Sequence, residues 1–399
     1  MRIPQYWLYI FLLATTALFF LFKELQPHLS YDFAPQFDGN DYHKAYDYLA
    51  GIAADYEVPP PFNKRILIPW IAAKLGAGEI ISDFQWLNLV FSLWGIGMLF
   101  LLWRSLGLEL RWFVFGYGWL LLHWTGMLRL NAFDPITVDL PLYGIHALLL
   151  WLVLKRKFTW LLLLGPLATL QKESFIGLLV LLLLYGWWHN RKQQEAFFEL
   201  KWILGSLILS ITATSLASYS FPPSEPGRGA LIMLLYQAKQ TLLNPFELVR
   251  WITAMLVAFG PLLILGINEA RKRRHYDNRK NLLLLFSALS LLYGLLAGGD
   301  MTRIIFLGFP FIMTWLMYEL RDLESKKYWA LVAWSLPLTL LVFSIPDPAF
   351  EWGRWQSWYP EFAPVKIVLI MLGYGVVSSA ALLWQKNKAY RLPSPPKTN

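Results

Sequence analysis

Long apolar stretches bounded by charged residues divide this chain. A bilayer core roughly 30 Å thick takes about 20 helical residues to cross. Twelve stretches suit that length: Tyr6–Phe22, Trp86–Trp103, Trp112–Leu128, Val138–Leu154, Phe158–Leu170, Ser174–Trp188, Trp202–Tyr219, Val249–Ile267, Leu282–Ala297, Ile304–Leu320, Tyr328–Ile345 and Val365–Trp384. The fifth and sixth are short and separated only by Gln171-Lys172-Glu173-Ser174; they read as two crossings rather than one broken hairpin. Trp residues at span ends, among them Trp7, Trp86, Trp103, Trp151 and Trp202, suit interfacial aromatic belts. The pattern predicts an all-α polytopic membrane protein of about 12 transmembrane helices. It forms one domain over 1–385, with outer-face loops at 23–85, 220–248 and 346–364. The tail 386–399, bearing Pro393, Pro395 and Pro396, is expected to be cytoplasmic and disordered.

Composition agrees with a membrane environment. Of 399 residues, 57% are apolar and 15% charged, against roughly 25% charged in an ordinary soluble domain. That excludes a soluble enzyme, a disordered protein and a nucleic-acid binder. The chain has no Cys, so disulfides, zinc–thiolate sites and thiol nucleophiles are excluded, and its 6 His show no ligand spacing. The net charge of +9 reports topology. With the N-terminus in the cytoplasm and twelve alternating crossings, 22 of the 35 Lys and Arg fall inside, with only 8 of the 26 Asp and Glu. Runs such as Lys155-Arg156-Lys157 and Arg271-Lys272-Arg273-Arg274 lie inside, as the positive-inside bias requires. Both termini are then cytoplasmic. No small-residue cleavage site follows Phe22, so the first stretch reads as an uncleaved helix.

The outer connections carry the chemistry. Phe37-Asp38-Gly39-Asn40-Asp41-Tyr42 opens with a turn signal, and Asn40 is a good N-cap. Tyr42, Tyr46, Leu49, Ala53 and Tyr56 share one helical face, predicting an amphipathic helix over 41–56 on the membrane surface. Asp38 and Asp41 sit at its positive end, where they serve equally well as caps. Phe62-Asn63-Lys64-Arg65-Ile66-Leu67-Ile68-Pro69 places Arg65 at the start of a short apolar helix, against the positive-inside trend. A guanidinium there suits a two-pronged phosphate contact, or snorkels to lipid headgroups. Asp134 lies in the outer connection between the third and fourth spans, with Asp139 at the start of the next helix; Lys172-Glu173 lies in a turn between short spans, and Gly298-Gly299-Asp300-Met301-Thr302-Arg303 between the ninth and tenth. Asp300 and Arg303 are spaced for a local pair across one helical turn. Each motif is unspecific alone, but together the short outer turns concentrate Asp, Glu, Lys and Arg at one membrane depth, where ionisable groups usually face a bundle interior or wet cavity.

Such a cluster can deprotonate an acceptor hydroxyl and stabilise a phosphate leaving group. In layout and in four short patterns the chain resembles the GT-C superfamily of integral-membrane glycosyltransferases. The patterns are the acidic first loop, the Phe62–Pro69 segment, the Lys172-Glu173 turn and Gly299-Asp300-Met301-Thr302-Arg303 ahead of a helix bearing Pro310. The resemblance implies inverting sugar transfer from a polyprenyl-phosphate donor to a glycan, lipid or protein acceptor at the outer face, in cell-envelope glycan assembly such as occurs at a bacterial inner membrane. It implies Asp38 or Asp41 as general base and Asp134 as a second acidic candidate. Arg65, Lys172 and Arg303 are then implied at the lipid phosphate, with Tyr42, Glu173, Asp300 and Asp139 in support. Gly39 and Asn40 interrupt the adjacent acidic pair found in several members, which leaves open the acting aspartate and a divalent metal. Three other classes compete: a lipid-linked oligosaccharide ligase or polymerase, a 12-helix transporter and a non-enzymatic assembly subunit. A transporter usually needs charges near the bilayer midplane, and His123 and His146 are the nearest to that here.

Overall fold

The computed structural model describes residues 3–192, 197–225, 230–272, 278–296 and 300–389. It is all-helical, with 76% helix and no strand among the described residues. The helices run α1 (Tyr6–Leu25), α2 (Asp38–Ala50), α3 (Leu67–Leu75), α4 (Ile80–Ser105), α5 (Leu110–Leu122), α6 (Arg129–Phe133), α7 (Leu140–Leu154), α8 (Leu161–Gln171) and α9 (Phe175–Lys192). They continue as α10 (Leu200–Ser220), α11 (Ala230–Leu243), α12 (Pro245–Phe259), α13 (Pro261–Lys272), α14 (Asn278–Leu296), α15 (Met301–Leu307), α16 (Phe309–Glu319), α17 (Ser325–Ser335), α18 (Trp352–Gln356) and α19 (Val365–Ala389).

Five of these, α1, α4, α10, α14 and the Val365–Trp384 part of α19, are long and apolar enough to cross a membrane. The number rises to seven if two bent pairs, α11 with α12 and α15 with α16, each count as one span. The sixth is an unbroken 18-residue helix, α9, that is not among these five; most of the remaining predicted spans are shortened or broken. The third stops at Leu122, six residues early, where His123 turns extended. The eighth is cut by Gly260, whose φ of +60° suits glycine, and by Pro261, which starts the next helix. The tenth bends by 66° at Gly308, ahead of Pro310. The eleventh leaves the α-helix at Ser335, before Pro337. Several boundaries err the other way: α4 begins at Ile80, inside the predicted loop 23–85, α9 runs to Lys192, four residues past Trp188, and α19 runs to Ala389, into the predicted tail. Residues 390–399, Gly298-Gly299 and Arg273-Arg274 lie outside the described residues.

The amphipathic helix expected over 41–56 is present but displaced. It spans Asp38–Ala50, with Phe37 rather than Asn40 at its N-cap, and ends at Gly51, whose φ of +80° is the left-handed turn that glycine provides. Tyr42 and Tyr46 are buried, as their spacing predicts, against Ile68, Phe84, Ile136 and Val138.

Three segments remote in sequence are sewn together. Trp355, Trp358 and Tyr359 pack on Trp124, Phe133, Leu29 and Ala34. Gln26 donates to the Ile345 carbonyl at 3.0 Å and accepts from the Ile345 N–H at 2.8 Å. The Leu29 N–H bonds the Phe133 carbonyl at 2.7 Å, and the Ser30 N–H bonds Asp347 at 3.0 Å. Arg129 is buried beneath them, donating to the carbonyls of Thr339 and Leu340 at 2.8 and 3.0 Å.

Candidate functional site

Most of the ionisable residues singled out in the sequence converge. Arg303, on the first turn of α15, is central. Its Nη2 donates to Asp38 at the start of α2 (2.9 Å), and its Nη1 lies 3.7 Å from Asp139 at the start of α7. Its Nε sits 2.6 Å from Asp300, off the line a hydrogen bond needs. Asp139 is the second hub, because Lys172 Nζ donates to it at 2.8 Å. The Gln171 amide holds the turn in place by donating to the Val138 carbonyl.

Arg65 lies beside this network. Its Nε and Nη2 grip both oxygens of Glu173 at 2.9 and 2.7 Å, and its Nη1 donates to the Tyr42 hydroxyl at 3.1 Å. Lys172 and Glu173, adjacent in sequence, thus serve different partners, as neighbours on a turn must.

Asp134 faces the same space from the opposite wall. Tyr31 donates to it at 2.6 Å while accepting from the Ile136 N–H at 3.0 Å, which fixes the direction of the phenolic proton. The Asn88 amide bonds the Pro135 carbonyl at 2.9 Å and pins the loop. Gly39 makes this approach possible: a Cβ there would meet Tyr31 Cε1 at 2.5 Å, Ile136 O at 3.1 Å and Asp134 Oδ1 at 3.3 Å. The sequence reads Gly39 as a turn residue; it is helical, and closeness is what demands glycine.

Asp41 stands apart from the network. One turn beyond Asp38, it pairs with Lys44 at 3.4 Å on the same helix and makes no described contact with Arg303.

Protonation follows the surroundings. Burial pushes the Asp134 carboxyl up to about 7, against the pull of Tyr31 and Arg303. Burial works the same way on Asp139 and Glu173, but cations win. Lys172 and Arg303 hold Asp139 down to about 2, and Arg65 does so for Glu173. Glu361, in the segment 346–364, is a member that sequence reasoning missed. Its carboxylate accepts from the N–H and hydroxyl of Thr302 at 3.0 and 2.7 Å. Burial and the neighbouring Asp300 raise it. Tyr31 is the second omission. Neither stands in a motif, and only the folded outer cap brings them to the cluster.

The space between Asp134, Thr137, Asp139, Tyr143 and Arg303 is about 10 Å³, room for about one water molecule. A much larger groove, about 630 Å³, runs beside it. Leu67, Ile71, Phe91, Trp94, Pro141 and Ile145 line its upper part, and Trp151, Lys157 and Trp160 its far end. Leu67 is two residues from Arg65 and Pro141 two from Asp139, so the groove's lining comes within two positions of the charged cluster along the chain. Its walls are nearly all apolar, and Leu163 and Trp160 on its rim are exposed.

Among the described residues no group of three His, Asp or Glu side chains is placed to hold a metal ion. Asp38, Asp139 and Asp300 instead surround the Arg303 guanidinium. The divalent metal left open above does not fit this arrangement. His123 and His146 bond the backbone carbonyls of Val257 and Leu307, each at 3.0 Å.

Comparison with protein-family models, with curated proteins and with solved structures finds no match to this chain.

Proposed function

We propose that the chain is an integral-membrane glycosyltransferase that moves a sugar from a polyprenyl-phosphate donor to an acceptor hydroxyl. What supports this reading is the gathering of cations and carboxylates around Arg303 and Arg65, together with an apolar groove whose lining includes Leu67 and Pro141, each two positions from a member of that cluster. A polyprenyl chain lies in the groove, and its phosphate reaches Arg65, Lys172 and Arg303. Asp38 takes the proton of the acceptor hydroxyl as general base. The acceptor oxygen attacks the anomeric carbon, and polyprenyl phosphate leaves from the opposite face with inversion. Cationic side chains stabilise the leaving phosphate, so no strong general acid is required. Asp134, more deeply buried and tied to Tyr31, is the second candidate base; Asp41, engaged by Lys44, is not needed.

In this reading the shortened and bent apolar helices also cross the membrane, twelve crossings in all. Both termini are cytoplasmic and the cluster faces outward, at a bacterial inner membrane. The midplane charges expected of a transporter have no counterpart in His123 or His146, whose rings bond backbone carbonyls.

The test is release of polyprenyl phosphate by the purified protein from a panel of hexosyl and pentosyl polyprenyl phosphates, with a pool of glycan and lipid acceptors. One donor is expected to turn over, with loss of at least 100-fold in Asp38→Asn and little change in Asp41→Asn. No turnover across the panel, or full activity in Asp38→Asn, refutes the assignment.

A further inference from the structure

Charge balance at the cluster poses a problem for any phosphate. Arg65, Lys172 and Arg303 supply three cations, while Asp38, Asp139, Asp300 and Glu173 present four carboxyl groups. Arg303 has a carboxylate on each of its three nitrogens, and the adjoining space holds about one water molecule. A phosphate approaching Arg303 therefore meets both like charge and a filled seat.

Three carboxylates hold that seat, and they are not equally replaceable. Asp139 is buried and also held by Lys172. Asp300 is tethered one turn away on the same stretch of chain, beside the buried Glu361. Asp38 comes from a different element and has a side chain 30% exposed. Among the described residues it has no hydrogen-bond or ion-pair partner other than Arg303.

We propose that Asp38 occupies the anion seat of Arg303 as a stand-in for phosphate, and that an incoming lipid phosphate takes that seat and releases Asp38. This rests on the reading above and adds its regulation: the base becomes free only when the donor is in place. The exchange conserves the charge beside Arg303. A guanidinium N–H donates to a phosphate oxygen as it does to a carboxylate oxygen, and the contact to be exchanged here is the single one from Nη2 to Asp38. It also links the two ends of the reaction. When Asp38 takes the acceptor's proton it becomes neutral, and the Arg303 charge is left to the departing phosphate.

The exchange predicts that disabling the base improves donor binding. Farnesyl phosphate titrated into the full-length protein in nanodiscs, followed by its 21 Trp, should bind Asp38→Asn about tenfold tighter than wild type. Asp38→Ser is a second variant with the same expected result. Arg303→Gln should bind at least tenfold more weakly, and Asp41→Asn should match wild type. Farnesol and inorganic phosphate are parallel arms. If wild type binds farnesyl phosphate and neither Asp38 variant binds it more tightly, the exchange is overturned while the donor reading stands. If no variant binds farnesyl phosphate, both fall. Tighter binding of inorganic phosphate alone to the Asp38 variants supports the exchange and overturns the lipid donor.

Discussion

Gly39 shows how much of the site rests on one missing atom. Its Cα approaches Tyr31 and Asp134 so closely that a methyl group has no room. Gly39→Ala should cost roughly 1–3 kcal/mol, read as a lower melting temperature in detergent, and should part Asp38 from Arg303. Asp134 gives a prediction with a sign. Burial raises its carboxyl to about 7 in the folded protein, above the roughly 3.9 of an unfolded chain. Stability from its neutral form is complete below the unfolded value and is lost as pH rises through about 7. Between pH 5 and 8 the wild type should therefore lose melting temperature relative to Asp134→Asn; parallel curves would contradict the buried neutral carboxyl. Asp139, held near 2, behaves oppositely: its pairs persist above about pH 4 and fail only as pH falls towards 2. At this scale the sequence showed which residue types stand in the turns between apolar stretches. It did not show the pairing, since Arg65 with Glu173 and Lys172 with Asp139 are contacts across 108 and 33 positions. Tyr31 gave no signal at all, because a tyrosine in an aromatic-rich loop looks like packing.

Apolar length predicted the long helices well, since burial in hydrocarbon leaves a run that nothing else explains. It failed where glycine and proline interrupt that run. Gly260-Pro261 and Gly308-Phe309-Pro310 are visible in the sequence, yet hydropathy alone reads straight through them. The bend at Gly308 matters for the site, because it sets off the short α15 whose first turn carries Arg303. The loop 346–364 reads in sequence only as an outer connection; in the fold it is the clamp that brings Glu361 to Thr302. Trp355, 5% exposed within the aromatic cap, is its main anchor. Trp355→Ala should cost about 3–5 kcal/mol and expose 346–364 to proteolysis. Unchanged protease resistance would show that the loop is held by other contacts.

For the molecule as a whole, the absence of Cys makes sidedness directly measurable. Single Cys residues placed at Ile52 and at Phe350 should react with an impermeant maleimide from outside the cell, and ones at Lys157 and Lys327 should not. Labelling of the first pair only from inside would reverse the orientation drawn from the charge bias. The deeper claim is that an apolar groove and a charged cluster, assembled from segments up to 265 positions apart, form a single binding site for one amphiphile. A structure of the protein with added polyprenyl phosphate tests this most directly. The account predicts continuous density from Trp151 and Ile145 in the groove to a phosphate within hydrogen-bond reach of Arg65, Lys172 or Arg303, with Asp38 turned away. A lipid lodged elsewhere, or a filled groove with Asp38 still on Arg303 and no phosphate at the cluster, would contradict it.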